Sequence, residues 1–132
     1  MNKLRILVLD DEPIVGKRLK PALIKSGYDV TVVATGAEAL RLIDEIAYDI
    51  VVADIRMEGV DGLEVLRHAR AHSPRTRIIM ITGFATVELA REALTMGAFD
   101  FIAKPFKLDD LRRTILRAVA ALESEPGAPS VR

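Results

Sequence analysis

The chain has 132 residues, 50% of them hydrophobic, with no cysteine and with 19 basic residues matching 19 acidic ones. That is the length of one domain with enough apolar side chains to fill a core, which excludes a disordered chain. Zero formal net charge removes any global pull toward nucleic acid or basic partners, and the missing cysteines exclude disulfides, thiol nucleophiles and thiolate zinc sites.

The N-terminal MNKLRILVLDDEP has only a short apolar run before its acids, so it lacks the apolar region of a signal peptide. No segment approaches the ~18 apolar residues that span a bilayer. The expectation is a cytoplasmic protein, in keeping with a reducing compartment, with no membrane contact and no direct nucleic-acid contact.

The apolar pattern alternates between two kinds of segment. Short Val- and Ile-rich runs at 4–9, 30–33, 50–53, 78–81 and 99–103 predict strands buried on both faces. After the first, Pro13 suits the first turn of a helix, where its missing N–H does no harm. Ile14, Leu19, Leu23 and Ile24 follow on roughly one helical face, Gly27 suits the C-terminal cap, and Pro21 should kink that helix or weaken one hydrogen bond. Ala39, Leu40, Ile43 and Ala47 mark the second helix. Leu63, Leu66 and Ala69 mark the third. Leu89, Ala93 and Met96 mark the fourth, before Gly97. Leu108, Leu111, Ile115, Ala118, Val119 and Leu122 mark the fifth. From Glu123 the sequence ESEPGAPSVR is small, polar and rich in Pro and Gly, so the domain is placed at 1–122 with a disordered tail or linker stub at 123–132.

Strands alternating with helices predict an α/β sandwich on a parallel sheet. Ligands of such sheets bind beyond the carboxyl ends of the strands, so the residues there carry the functional reading. The first strand is followed by Asp10, Asp11 and Glu12, the third by Asp54, the fourth by Thr82 and Gly83, and the fifth by Lys104 and Pro105. The second delivers only Ala34, Thr35 and Gly36, as an edge strand would. Three aspartates gathered at one edge repel one another, and Lys104 offsets only one charge. A divalent cation is the missing partner, and carboxylates without nearby His or Cys favour a hard ion such as Mg²⁺. A carboxylate nucleophile beside such an ion, an ammonium and a hydroxyl is a phosphoryl-handling set.

ILVLDDEP, DIVVADIRMEGVDG, IIMITGFAT and GAFDFIAKPF, in that order and at the ends of those strands, closely resemble the receiver domain of bacterial two-component response regulators. The resemblance covers about residues 4–122. It implies a flavodoxin-like (βα)5 three-layer sandwich with a parallel sheet of order 2-1-3-4-5. It implies Asp54 as the phosphoacceptor, Asp11 as a direct Mg²⁺ ligand, Asp10 as one acting through water, and the Arg56 backbone carbonyl as a further ligand, with Mn²⁺ a substitute ion. Lys104 would pair with the phosphoryl oxygens, and Thr82 would move toward them. Phe101 matches the switch aromatic, and the Lys104–Pro105 bond is expected to be cis. The implied partners are a sensor histidine kinase or histidine phosphotransfer protein and a downstream effector, with a phosphorylation-dependent homodimer as a further expectation. The domain would be a phosphoacceptor and not an enzyme in its own right, beyond phosphorylating itself from small donors and dephosphorylating itself.

Two positions depart from the pattern: Glu58 stands where Pro is common, and Phe84 brings bulk that would shield an acyl phosphate from water. Glu12 is read as serving the helix start. His68 and His72 in HARAH have metal-ligand spacing, but no Glu follows His68 as in the catalytic zinc motif, so a solvated helix face is expected. Arg112, Arg113 and Arg117 give the last helix a basic side. Two other functions remain open. A haloacid-dehalogenase-type phosphatase also places Asp after a first strand, but wants a second Asp where this chain has Glu12. The other is a receiver-like module that binds proteins without phosphorylation. No Gly-rich phosphate loop supports nucleotide binding.

Overall fold

The computed structural model describes residues 3–57, 59–83 and 85–124. Five strands alternate with five helices in chain order: β1 (Arg5–Leu9), α1 (Pro13–Lys25), β2 (Asp29–Val33), α2 (Gly36–Glu45), β3 (Ile50–Asp54), α3 (Gly62–His72), β4 (Arg77–Thr82), α4 (Val87–Thr95), β5 (Asp100–Ala103) and α5 (Leu108–Ser124). The strands form one sheet of order β2-β1-β3-β4-β5, and every pairing is parallel. This is the flavodoxin-like order expected from the sequence. Strand ends differ from the expected ones by a residue at most ends, and Phe99 lies just before β5.

Side chains alternate between the two faces of a strand, so a sheet covered on both sides has two cores. One face packs Leu7, Val51 and Met80 against Ala39 and Ile43 of α2, Leu66 of α3 and Ala93 of α4. The other packs Ile6, Val52 and Ile81 against Leu19 and Leu23 of α1 and Leu111 and Ile115 of α5. β3 lies between β1 and β4, and all five of its residues are buried.

Local chemistry sets the helix starts. Thr35, Asp61 and Thr86 accept from the N–H groups of Glu38, Glu64 and Leu89 at 3.2, 3.0 and 3.0 Å, each satisfying an otherwise unpaired helical donor. Gly27 and Gly97 leave α1 and α4 with φ of 101° and 104°, as their predicted capping role requires. Pro21 lies within α1 without ending it.

Three expectations are corrected. The buried stripe of α1 is Gly16, Leu19 and Leu23, while Ile14 and Ile24 are exposed, because the sheet-facing stripe follows a spacing of three and four from Gly16. Gly16 sits on the stripe because an added Cβ would meet Val32 Cγ1 at 2.7 Å. α2 ends at Glu45, so Ala47 is outside it and exposed, and Tyr48 closes that end of the core. Glu123 and Ser124 belong to α5, and the rest of the expected tail lies outside the described residues. Among the described residues no helix is long and apolar enough to cross a membrane.

Candidate functional site

The carboxyl ends of β1, β3, β4 and β5 converge on one cluster of charge. Asp54 is the last residue of β3 and is 5% exposed. Its Oδ1 accepts the Arg56 N–H at 3.1 Å and its Oδ2 accepts from Lys104 Nζ at 2.9 Å. Asp10 follows β1 and is 3% exposed. Its Oδ1 accepts the Glu12 N–H at 2.8 Å. Its Oδ2 lies 2.8 Å from Lys104 Nζ as an ion pair but has no partner in hydrogen-bond geometry among the described residues. The Glu12 carboxylate, half exposed, takes a third bond from Lys104 at 2.7 Å. One ammonium therefore faces three carboxylates, and one oxygen of each lies within 4.8 Å of the others.

Backbone pairing holds these groups in place. The Ile55 N–H donates to Ile81 O at 2.9 Å and the Lys104 N–H to Thr82 O at 2.8 Å, so the ladder runs past the strand ends into the site. The Lys104–Pro105 bond is cis, as expected. Thr82, fully buried, ends β4 and pairs with Ala103, while Met80 pairs with Phe101. Thr82 and Phe101 thus lie on the same face of the sheet, and Phe101 is half buried against that face's core.

The electrostatics follow from this crowding. Burial pushes the Asp10 carboxyl above its ordinary 3.8, against the pull of Lys104 and of the Glu12 N–H. Burial would lower the Lys104 ammonium, but its bonds to Asp10, Glu12 and Asp54 outweigh that and hold it above its ordinary 10.5. The cluster is short of positive charge: one cation serves three anions. An all-oxygen donor set with more negative than positive charge fits a hard divalent ion.

The sequence reading placed Glu12 at the helix start. It does occupy that position, but its side chain caps no N–H and turns to Lys104 instead, because a charged ammonium is a stronger partner for a carboxylate than a backbone N–H. Asp11 is exposed, and its carboxylate is not in the group formed by Asp10, Glu12 and Asp54. Glu58 and Phe84 lie outside the described residues. Sequence reasoning missed Gly62, which packs against the backbone of Asp54: an added Cβ would meet Asp54 O at 2.2 Å. The arginines of α5 are engaged in ion pairs, Arg112 with Asp109, Arg113 with Asp110 and Arg117 with Asp100.

Residues 6–116 match the family model of the response regulator receiver domain. The chain belongs to that family. The receiver is 43% identical over 115 residues to the regulatory protein AtoC of Escherichia coli K12, across 87% of this chain and 25% of that protein. It superposes with a TM-score of 0.87 on a CheY-like response regulator receiver domain protein from Methanospirillum hungatei JF-1, at 31% identity and covering 91% and 96% of the two chains. A response regulator from Burkholderia pseudomallei, solved with a phosphorylated aspartic acid, a calcium ion and citrate, is similar at a TM-score of 0.80 and 26% identity, covering 93% and 76%. The receiver spans about a quarter of the length of its curated relative AtoC. Its function is that of a two-component receiver: it serves signal transduction as a phosphoacceptor domain.

Proposed function

We propose that Asp54 accepts the phosphoryl group. The observation that carries this is the Asp54 carboxylate at the end of the buried central β3, bonded by Lys104 and set beside the buried Asp10 carboxylate. An Asp54 oxygen attacks phosphorus, the bond from phosphorus to the donor breaks, and the donor leaves with the electron pair. The donor is phosphohistidine of a sensor histidine kinase or of a histidine phosphotransfer protein. The Lys104 ammonium passes from carboxylate to phosphoryl oxygen, where it offsets the new charge. Asp10, Asp11, Asp54 and the Arg56 carbonyl would hold Mg²⁺, or Mn²⁺ in its place, with Glu12 kept on Lys104. The bound ion would supply charge neutralisation for the phosphoryl oxygens.

The dianionic group then draws in the Thr82 hydroxyl, and Phe101 turns inward on the same face of the sheet. The surface of α4, β5 and α5 changes with it and controls an effector protein or domain, or a homodimer of receivers. The receiver unit is residues 1–122, completed by the last residues of α5, and the Pro- and Gly-rich stretch beyond reads as a tail or linker stub. The phosphorylated aspartic acid of the Burkholderia pseudomallei relative supports this chemistry.

Incubation with acetyl phosphate, with and without Mg²⁺, followed by intact mass, tests the proposal. A single phosphoryl adduct that needs both Mg²⁺ and Asp54 is expected. No adduct on folded wild-type protein would leave a binding module that works without phosphorylation. An adduct that persists in Asp54→Asn would place the nucleophile elsewhere.

A further inference from the structure

The chain has two histidines, and the fold brings both to one carboxylate. His68 and His72 lie one turn apart on α3, and Asp44 reaches them from α2. His68 Nε2 is 2.7 Å from Asp44 Oδ1. The imidazole rings stack, with centroids 3.9 Å apart and planes 24° apart. His72 Nδ1 lies 3.0 Å from the His68 carbonyl oxygen, which only a protonated nitrogen can satisfy. The lone pair of His72 is therefore on Nε2.

We propose that Asp44, His68 and His72 form a second metal site, on the outer surface of α2 and α3, for a borderline divalent ion of the Zn²⁺ class. One donor atom from each residue already lies within 4.8 Å of the other two. A tetrahedral centre with bonds of ~2.1 Å wants its donors about 3.4 Å apart, and stacked rings send their in-plane lone pairs out side by side, so closing the site takes rotations that swing the two imidazoles out of the stack. The hydrogen bond from His72 Nδ1 to a backbone carbonyl is the outer-shell arrangement that orients a ligating imidazole and fixes its tautomer. The proton shared by His68 Nε2 and Asp44 Oδ1 sits where the ion would replace it. Two imidazoles and one carboxylate leave a fourth position for water and suit Zn²⁺, Ni²⁺ or Cu²⁺ over Mg²⁺. This separates the site chemically from the all-oxygen cluster of Asp10, Glu12 and Asp54. His68 is a quarter exposed and Asp44 half exposed, so the ion has access from solvent. HARAH has metal-ligand spacing but reads by itself as a solvated helix face, and the third group, Asp44, is visible only in the packing of α2 on α3.

The test is calorimetric titration of the whole chain with Zn²⁺ in excess Mg²⁺, paired with ¹H–¹⁵N spectra of the imidazoles. One equivalent of Zn²⁺ is expected to bind and to shift both Nε2 resonances. His68→Gln and His72→Gln should each raise the Kd at least about tenfold, since losing a ligand costs no less than losing its outer-shell partner. Asp44→Asn should raise it by a smaller factor. These side chains are outside the cores, so circular dichroism of the variants should match wild type. A Kd above about 100 μM, too weak for a site, would overturn the proposal. So would imidazole resonances unmoved by Zn²⁺, or variants that bind as wild type does. The last result would put the ion in the carboxylate cluster.

Discussion

Lys104 Nζ is bound to Asp54 Oδ2 at 2.9 Å while also lying within 2.8 Å of an Asp10 oxygen and a Glu12 oxygen. The ammonium is the only cation within that cluster among the described residues, so it stands in for part of the charge a divalent ion would bring. Replacing it leaves three carboxylates in mutual repulsion. Lys104→Met should therefore lose about 2 kcal/mol of stability in the absence of divalent ions, less than for a fully buried pair because Glu12 is half exposed. Mg²⁺ should restore more stability to this variant than to wild type. Thermal melts across a Mg²⁺ series check this, and equal Mg²⁺ responses in the two proteins would count against it.

The burial of Asp10 gives a prediction of opposite sign. Its carboxyl is held above 3.8 by burial, so the native state binds this proton more tightly than the unfolded chain does. A group raised in this way lowers stability as pH rises from its unfolded pKa through its folded one, and the cost then persists at higher pH. Asp10→Asn removes that cost. Without Mg²⁺ the variant should match wild type below pH 3.8 and be the more stable of the two above it, with a higher Tm at neutral pH. Mg²⁺ should narrow the gap by stabilising wild type more than the variant, which keeps only Asp11, Asp54 and the Arg56 carbonyl to hold the ion. Urea melts of both proteins from acid to neutral pH read the difference directly. A variant less stable than wild type throughout would show that the pairing with Lys104 outweighs the burial.

Thr82 and Phe101 share one face of the sheet on neighbouring strands, with Thr82 beside Ala103, two residues along from Phe101. If the Thr82 hydroxyl couples the phosphoryl group to that ring, Thr82→Ala should still form the Mg²⁺-dependent adduct but lose the response of Phe101. Ring NMR signals of Phe101 before and after acetyl phosphate separate the two events. A full Phe101 response in Thr82→Ala would break the link.

Much of this arrangement was legible in the sequence because it follows local periodicity. Continuous apolar runs such as 50–53 announce buried parallel strands, and the polar residues just past them, Asp54 among them, land at one edge by the geometry of the sheet alone. Contacts between distant elements were not legible. Glu12 meets Lys104 across 92 residues, and nothing in DDEP says which acid turns inward. Asp44 meets His68 across 24, from a neighbouring helix, so a search for spacing within α3 found only two of the three groups. Ile14 and Ile24 fit a helical stripe on paper, but the phase of α1 is set by the close approach of Gly16 to Val32, which involves no apolar side chain on the helix itself.

Gly62 is the clearest case of a site residue with no chemistry of its own. It opens α3, directly after the N-cap Asp61, and its N–H returns to Ile55 O at 3.0 Å, closing the segment that follows Asp54. A Cβ there would meet Asp54 O at 2.2 Å and Ile55 Cα at 2.7 Å. Both are backbone atoms, so neither moves aside as a side-chain end would. The clash is relieved only by displacing α3 or the end of β3, and displacing β3 carries the Asp54 carboxylate away from Lys104. Gly62→Ala should therefore cost about 2 kcal/mol, within the range for overpacking a filled site, and slow phosphorylation by more than its stability loss explains. The comparison to make is the initial rate of adduct formation from acetyl phosphate, at a temperature where variant and wild type are both fully folded. A Gly62→Ala protein that is destabilised yet phosphorylates at the wild-type rate would mean that α3 yields and Asp54 stays in place.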